Sequence, residues 1–493
     1  MSMSMSMASS KLLLACFSLF LSLSTVSVTS QQLLPLTHSL SKTQFSSAHH
    51  LLKSTATISA ARHRRHTNRK RVSLPLSPGS DYTLTFTLKS QTFSVYMDTG
   101  SDMVWFPCSP FECILCEGKY PPGSLSPLNV SKSSLLSCKS HACSSAHSSL
   151  SSSNLCAIAK CPLDEIEISD CSNFSCPSFY YAYGDGSLIA ELHSETLLMP
   201  STSNSKPLNL KNFTFGCAHS TLGEPIGVAG FGRGSLSLPA QLANLSPDLG
   251  NQFSYCLVSH SFDSTKLRHP SPLILGKYKE TEIDQVSEYV YTPMLENPKH
   301  PYFYSVGLEA ISVGSRRIEA PENLRRVDRQ GNGGVVVDSG TTYTMLPSKL
   351  YKAVAVELER RIGKVLKRAT ETESMTGLRP CFYMHGRKGR LGVVIPSLAL
   401  HFGRNSSVVL PRRNYFHEFM DGGDDKKKKS KGRKMGCLMM MDAGEEEEEE
   451  SGPGATLGNY QQQGFEVVYD LAERRVGFAR RECATLWNNL NQH

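Results

Sequence analysis

The sequence predicts an all-β chain folded as two facing halves, on three observations. Short alternating apolar runs bounded by Gly, Pro, Ser and Asn recur along it: YTLTFTL (82–88), LNLKNFTFG (208–216), YFYSVGLEAISVG (302–314) and FEVVYDL (465–471). Period-two alternation at such spacing belongs to sandwiches or barrels. The 493 residues leave length for two domains, each with a core of its own. One local pattern also occurs twice, 240 residues apart. An apolar strand runs into Asp, a small hydroxyl, Gly, and a hydroxyl three residues after the Asp. The copies are Phe93–Met97 followed by Asp98-Thr99-Gly100-Ser101, and Val335–Val337 followed by Asp338-Ser339-Gly340-Thr341.

In chain order, residues 1–30 read as a secretory signal: Lys11, the apolar LLLACFSLFLSLS (12–24), then small polar residues. That run is short for a bilayer span, which leaves a signal anchor as the alternative. No other segment is apolar enough to cross a membrane. The net charge of +8 is unevenly placed. Residues 1–72 hold nine Lys/Arg and no Asp or Glu, which leaves −1 for the rest. A near-neutral body excludes a nucleic-acid partner recognised by bulk charge. Residues 31–72 read as a basic leader or a propeptide, short for an inhibitory one. Within it ARHRRHTNRKR (61–71) is either a linker or a set of cations that covers an acidic cleft.

The first half is expected over 73–295 and the second over 296–493. Segment 117–175, rich in Ser and Cys, is either a staple cluster or accessory recognition near the cleft. After Pro347, apolar residues at Leu350, Val354, Leu358, Ile362 and Val365 keep helical spacing and read as a core-packed face. Residues 421–451 carry a basic block and a six-Glu run on either side of Cys437, and like-charge blocks read as solvated loops.

A single Asp-hydroxyl-Gly turn is ordinary Asx chemistry. Two in matching strand contexts set two loops against each other at a pseudo-twofold axis, with Asp98 and Asp338 side by side. Such carboxylates share one proton, since like charges about 3 Å apart cannot both ionise. Gly100 and Gly340 let the loops approach, and the hydroxyls, Ser101 and Thr341 among them, orient the carboxylates. The result is a general acid/base pair able to activate water.

These motifs resemble the pepsin-like aspartic endopeptidases, and most closely their cysteine-rich plant branch, the nepenthesin-like proteases, from about Tyr82 to Cys483. YAYGDGS (181–187) is similar to the flap hairpin of that family, with Tyr183 as flap tyrosine. Trp105 matches the tryptophan that hydrogen-bonds it. GVAGFGRGSLSLPAQL (227–242) and ATLGNYQQQGFEVVYDLAERRVGFA (455–479) resemble the segments that thread beside each Asp loop, with the pairs Ala229-Gly230 and Leu457-Gly458. The resemblance implies a bilobal pepsin-like fold of two β-barrel lobes around a cleft. It also implies catalysis at acid pH by Asp98 and Asp338, a flap wall at Tyr183 and polypeptide substrates. No cofactor or metal, a monomer, and secretion to the cell wall or delivery to the vacuole complete the expectation. Some plant relatives are inhibitors of glycoside hydrolases, so a catalytically inactive binding protein is the rival reading.

Cysteine usage agrees with an oxidising compartment. Of fifteen cysteines Cys16 leaves with the signal, and nine of the remaining fourteen lie in 108–176. Cys113 and Cys116 also fit a metal-type CxxC, but no partner lies at ligand spacing. The family resemblance implies Cys108–Cys113, Cys116–Cys217, Cys138–Cys176, Cys143–Cys171, Cys256–Cys483 and Cys381–Cys437, which leaves Cys156 for Cys161. Glycosylation sequons stand at Asn129, Asn173, Asn212, Asn244 and Asn405.

Overall fold

The computed structural model describes residues 31–38, 52–53, 55–56, 59, 82–116, 126–148, 150–159, 174–183, 186–200, 207–259, 270–277, 288–384, 394–421, 433–444 and 452–492. One antiparallel sheet joins the two halves. Its strands run in the order Val290–Leu295, Arg475–Arg480, Phe465–Asp470, Gln252–Cys256, Ser271–Gly276 and Gln31–His38, and the last also meets Tyr82–Leu88. The central rungs, Val467 opposite Tyr255 and Val468 opposite Ser254, cross from the second half to the first.

Gln31–His38, the start of the segment read as a basic leader or short propeptide, is a strand of this sheet. QQLLPLTH carries no Lys or Arg, and its Leu33, Leu34 and Leu36 are buried. Pro35 lies opposite Pro272, so two residues without an N–H share one rung. Farther on, Leu52 and Ala56 pack with Tyr343, Phe419 and Tyr460 of the second half, and Ser59 Oγ accepts from the Tyr343 N–H at 3.0 Å. The signal segment, the basic run 61–71, Asn173, Cys161 and Cys171 lie outside the described residues.

Each half carries the same small arrangement around its Asp. Strand Gln91–Asp98 runs parallel to Val228–Gly230, which also pairs antiparallel with the start of Val104–Ile114. In the second half Val335–Val337 runs parallel to Ala455–Leu457, which pairs antiparallel with Thr344–Leu346 at Met345. The glycine at the end of each threading segment, Gly230 or Gly458, is needed sterically. A Cβ on Gly230 would lie 2.5 Å from Met103 N, and one on Gly458 would lie 2.5 Å from Thr342 O.

The cysteines pair differently from the family scheme over much of the first half. The bonds are Cys108–Cys217, Cys113–Cys116, Cys138–Cys156 and Cys143–Cys176. Cys256–Cys483 and Cys381–Cys437 join the same partners as that scheme. The differences have local causes. Phe106 lies opposite Cys217 in a parallel pair, which sets Cys108 beside Cys217. The chain turns at Leu115 (φ 58°) and folds Cys116 back on Cys113. Ser137 pairs with Ser175, but the helices His141–Ala146 and Ser152–Ile158 that follow carry Cys143 onto Cys176 and Cys156 onto Cys138.

The periodic stretch after Pro347 is the helix Ser348–Ile362, with Leu350, Val354, Leu358 and Ile362 buried. Val365 lies beyond its end and is exposed. The like-charge blocks read as solvated loops, 422–432 and 445–450, lie outside the described residues, and between them Arg433–Leu438 is a strand. It is the middle strand of a three-stranded sheet between Cys381–Tyr383 and Phe416–Asp421. Asn129, Asn212, Asn244 and Asn405 are exposed.

Candidate active site

The two Asp loops meet where the matched arrangements face each other. Asp98 is half-buried and Asp338 is buried. Each carboxylate accepts a backbone N–H from the glycine two residues on: Gly100 N–H to Asp98 Oδ1 and Gly340 N–H to Asp338 Oδ1, both at 2.8 Å. The loops approach so closely that a Cβ on Gly100 would lie 2.9 Å from Asp338 Cγ and from both its carboxylate oxygens. Any side chain at position 100 would therefore displace the second carboxylate.

The middle hydroxyls of the two triplets do not touch the carboxylates. They lock one loop to the other. Thr99 N–H donates to Ser339 Oγ (3.0 Å) and Ser339 N–H to Thr99 Oγ1 (2.9 Å). Each hydroxyl then donates across the axis, Thr99 Oγ1 to Val337 O (3.0 Å) and Ser339 Oγ to Met97 O (3.1 Å). Four reciprocal bonds in a buried setting fix the separation and twist of the two loops. Beneath them Asn459 Nδ2 donates to Ser339 O, and Gln462 Nε2 to Asp338 O and Leu457 O. Tyr255 and Tyr469 share a hydroxyl contact at 2.9 Å below the second loop, and burial pushes both phenols above their ordinary range.

The outer hydroxyls differ between the halves. Thr341 Oγ1 donates to Asp338 Oδ2 at 2.6 Å, a short charge-assisted bond. Ser101 Oγ is buried and makes no hydrogen bond. The symmetric expectation for Ser101 and Thr341 thus describes the second loop only.

Tyr183 ends the strand Phe179–Tyr183 and pairs with Gly186 at the tip of a hairpin with Gly186–Met199. Its side chain lies outside the described residues. Trp105 is buried in strand Val104–Ile114, beside Val228 and Gly216.

A further carboxylate beside the first loop escaped the sequence reading. Asp102 Oδ1 accepts from Tyr181 OH at 2.7 Å, which ties the base of the hairpin to the loop. Burial raises the Asp102 carboxyl above the usual range, against the lowering effect of that bond. Burial and the facing Asp102 hold Tyr181 well above 10, and the same two causes raise Tyr302. The available signal was an acid immediately before the apolar run MVWF (103–106); the partner 79 residues away was not legible.

Comparison with known proteins adds the family. A family model described as "Xylanase inhibitor N-terminal" matches residues 82–277, and one described as "Xylanase inhibitor C-terminal" matches 303–480. A probable aspartyl protease of Arabidopsis thaliana is 56% identical over 444 residues, covering 85% of each chain. Aspartic proteinase nepenthesin-1 of Nepenthes gracilis is 30% identical over 401 residues, covering 80% of this chain and 76% of its own. The crystal structure of edgp superposes with a TM-score of 0.60 at 19% identity, over 93% of this chain and 96% of its own, a likeness of fold.

Proposed function

Because the chain belongs to the plant aspartyl protease family of pepsin-like fold, we propose that Asp98 and Asp338 together hold and activate a water that hydrolyses peptide bonds. In this mechanism the ionised carboxylate takes the water's proton as the oxygen attacks the scissile carbonyl. The protonated carboxyl gives its proton to the carbonyl oxygen, and a tetrahedral diol forms with no covalent enzyme intermediate. The cycle needs one carboxyl to carry a proton while the other is ionised, and it is expected to run at acid pH. Gly340 N–H and Thr341 Oγ1 hold the second carboxylate at a fixed angle, and Gly100 N–H holds the first. Tyr183 at the hairpin tip would close over substrate and exclude water.

The observation that carries this reading is the fit of Gly100 against the Asp338 carboxylate, with the loops locked by Thr99 and Ser339. Substrates are polypeptides bound by a monomer. Six disulfides among the described residues support passage through an oxidising compartment and secretion to the cell wall or vacuole. Among those residues no helix is long and apolar enough to cross a membrane.

The descriptions of the matched family models favour a second reading, a catalytically silent binder of glycoside hydrolases. Peptide cleavage between pH 3 and 7, with and without pepstatin, separates the two. Pepstatin-sensitive acid cleavage supports the protease. Its absence, with tight binding of a xylanase, supports the binder.

A further inference from the structure

We infer that Asp102 is a positioning residue, a role that rests on the protease reading: it anchors the hairpin strand Phe179–Tyr183 to the loop that carries Asp98. Asp102 stands four residues after Asp98, and Tyr181 stands two residues before Tyr183, opposite Leu188 in the hairpin. Their contact is reciprocal. Tyr181 OH donates to Asp102 Oδ1 at 2.7 Å, and the Asp102 N–H donates to the same hydroxyl oxygen at 3.4 Å. One phenol thus holds both the backbone and the side chain of a single loop residue, so the strand cannot slide along the loop without stretching both bonds. A carboxyl oxygen accepts from Tyr181 OH whether or not the group is protonated, so the anchor persists at acid pH.

Two features show that the acid is fitted to this contact. The matching position in the second half, four residues after Asp338, is Thr342, so the duplicated loop does not itself require a carboxylate. Gly234 is shaped around the Asp102 side chain. A Cβ there would lie 2.2 Å from Asp102 Oδ2 and 2.6 Å from its Cβ, so any larger residue would push the carboxylate out of line with Tyr181.

The anchor also reaches toward the second Asp loop. Gly232 N–H donates to Ser101 O (2.7 Å) and Arg233 N–H to Tyr302 O (2.9 Å), which seats Tyr302 beside the residue preceding Asp102. Burial and the facing Asp102 raise the Tyr302 phenol. Two residues on, Tyr304 OH donates to Phe231 O (2.8 Å), and Tyr304 O accepts from the Val337 N–H (3.0 Å) on the strand that leads into Asp338. Asp102 therefore lies where the hairpin, the first Asp loop and the chain leading to the second one meet. A hairpin anchored there meets substrate already in place. An unanchored one is drawn into place by substrate binding energy, which lowers affinity and leaves the reacting water undisturbed.

The test compares the purified protein with its Tyr181→Phe, Asp102→Ala and Asp102→Asn variants in two readouts. The first is hydrogen exchange without ligand, followed by mass spectrometry, and it needs no activity. Tyr181→Phe and Asp102→Ala should speed exchange over Phe179–Tyr183 about tenfold and leave Gln252–Cys256 unchanged. The second is peptide cleavage at acid pH, in which both variants should raise KM about tenfold with kcat within about threefold of wild type. The double variant should be no worse than either single one, and Asp102→Asn, which keeps an accepting oxygen, should match wild type in both readouts. If Asp102→Ala fails to fold, Tyr181→Phe decides, since it deletes one oxygen. Unchanged exchange in Tyr181→Phe would overturn the inference, as would a fall in kcat at constant KM, which would put the effect on the Asp98 carboxylate itself. No cleavage by wild type would defeat the protease reading instead, and exchange would still decide whether Asp102 anchors the hairpin.

Discussion

The cross-loop lock makes a quantitative forecast for Thr99→Val. Valine keeps the shape of threonine and deletes one hydroxyl. That hydroxyl donates to Val337 O and accepts from Ser339 N–H, and both residues are at most 1% exposed. Val337 O keeps a second donor in Tyr469 OH at 3.3 Å, so only the Ser339 N–H is stranded. A buried, unsatisfied N–H costs about 1–3 kcal/mol, and the lost bond itself contributes about 1 kcal/mol. The sum, about 2–4 kcal/mol, is readable by urea unfolding of wild type and variant side by side. Because the lock sets the spacing of Asp98 and Asp338, kcat for peptide cleavage should fall about a hundredfold. KM should change little, since Thr99 is buried and does not line the flap. A shift below about 0.5 kcal/mol with kcat within twofold of wild type would refute the reasoning.

The asymmetry of the outer hydroxyls predicts that Ser101→Ala leaves peptide kinetics within a few-fold, whereas Thr341→Val, which loses a bond to a charged acceptor worth about 1.5–3 kcal/mol, lowers kcat/KM roughly 10–100-fold; equal effects would contradict it. For Asp102 the folded pKa lies above the ordinary aspartate value of 3.8, so the folded state binds the extra proton and stability falls as pH rises from that value to the raised one. Asp102→Asn removes this slope, and its melting temperature relative to wild type should rise between pH 3.5 and pH 7; a constant difference would count against a raised Asp102. Peptide mapping without reduction should recover Cys108 linked to Cys217, Cys138 to Cys156 and Cys143 to Cys176, and a fragment linking Cys138 to Cys176 would contradict the fold of the insert.

What the sequence disclosed was chemistry fixed by local constraint. A carboxylate at the end of an apolar strand, followed by a glycine, reads the same wherever the chain folds, and its repetition exposed the twofold plan. The threading glycines were legible for the same reason, since each fits against backbone. Long-range pairing was harder. Gln31–His38 is a strand whose partner Ser271–Gly276 lies far along the chain and leaves no mark on QQLLPLTH. An even cysteine count constrains pairing without choosing it, and two short helices in the insert decided the partners. The roles of Thr99 and Ser339 were misjudged because a hydroxyl beside an Asp suggests a contact with it. Only the facing loop shows that these hydroxyls bond across the axis instead.

The central claim, that two carboxylates act as one unit on one water, is tested most directly by the rate of acid-pH peptide cleavage in Asp98→Asn, Asp338→Asn and the double variant. All three should be secreted and should melt near wild type. General acid/base catalysis contributes roughly 10²–10⁴-fold, and residues that act as a unit lose their effect together. Each single variant should therefore be as inactive as the double. Appreciable cleavage by either single variant, or a double variant slower by the product of the two single losses, would contradict the account.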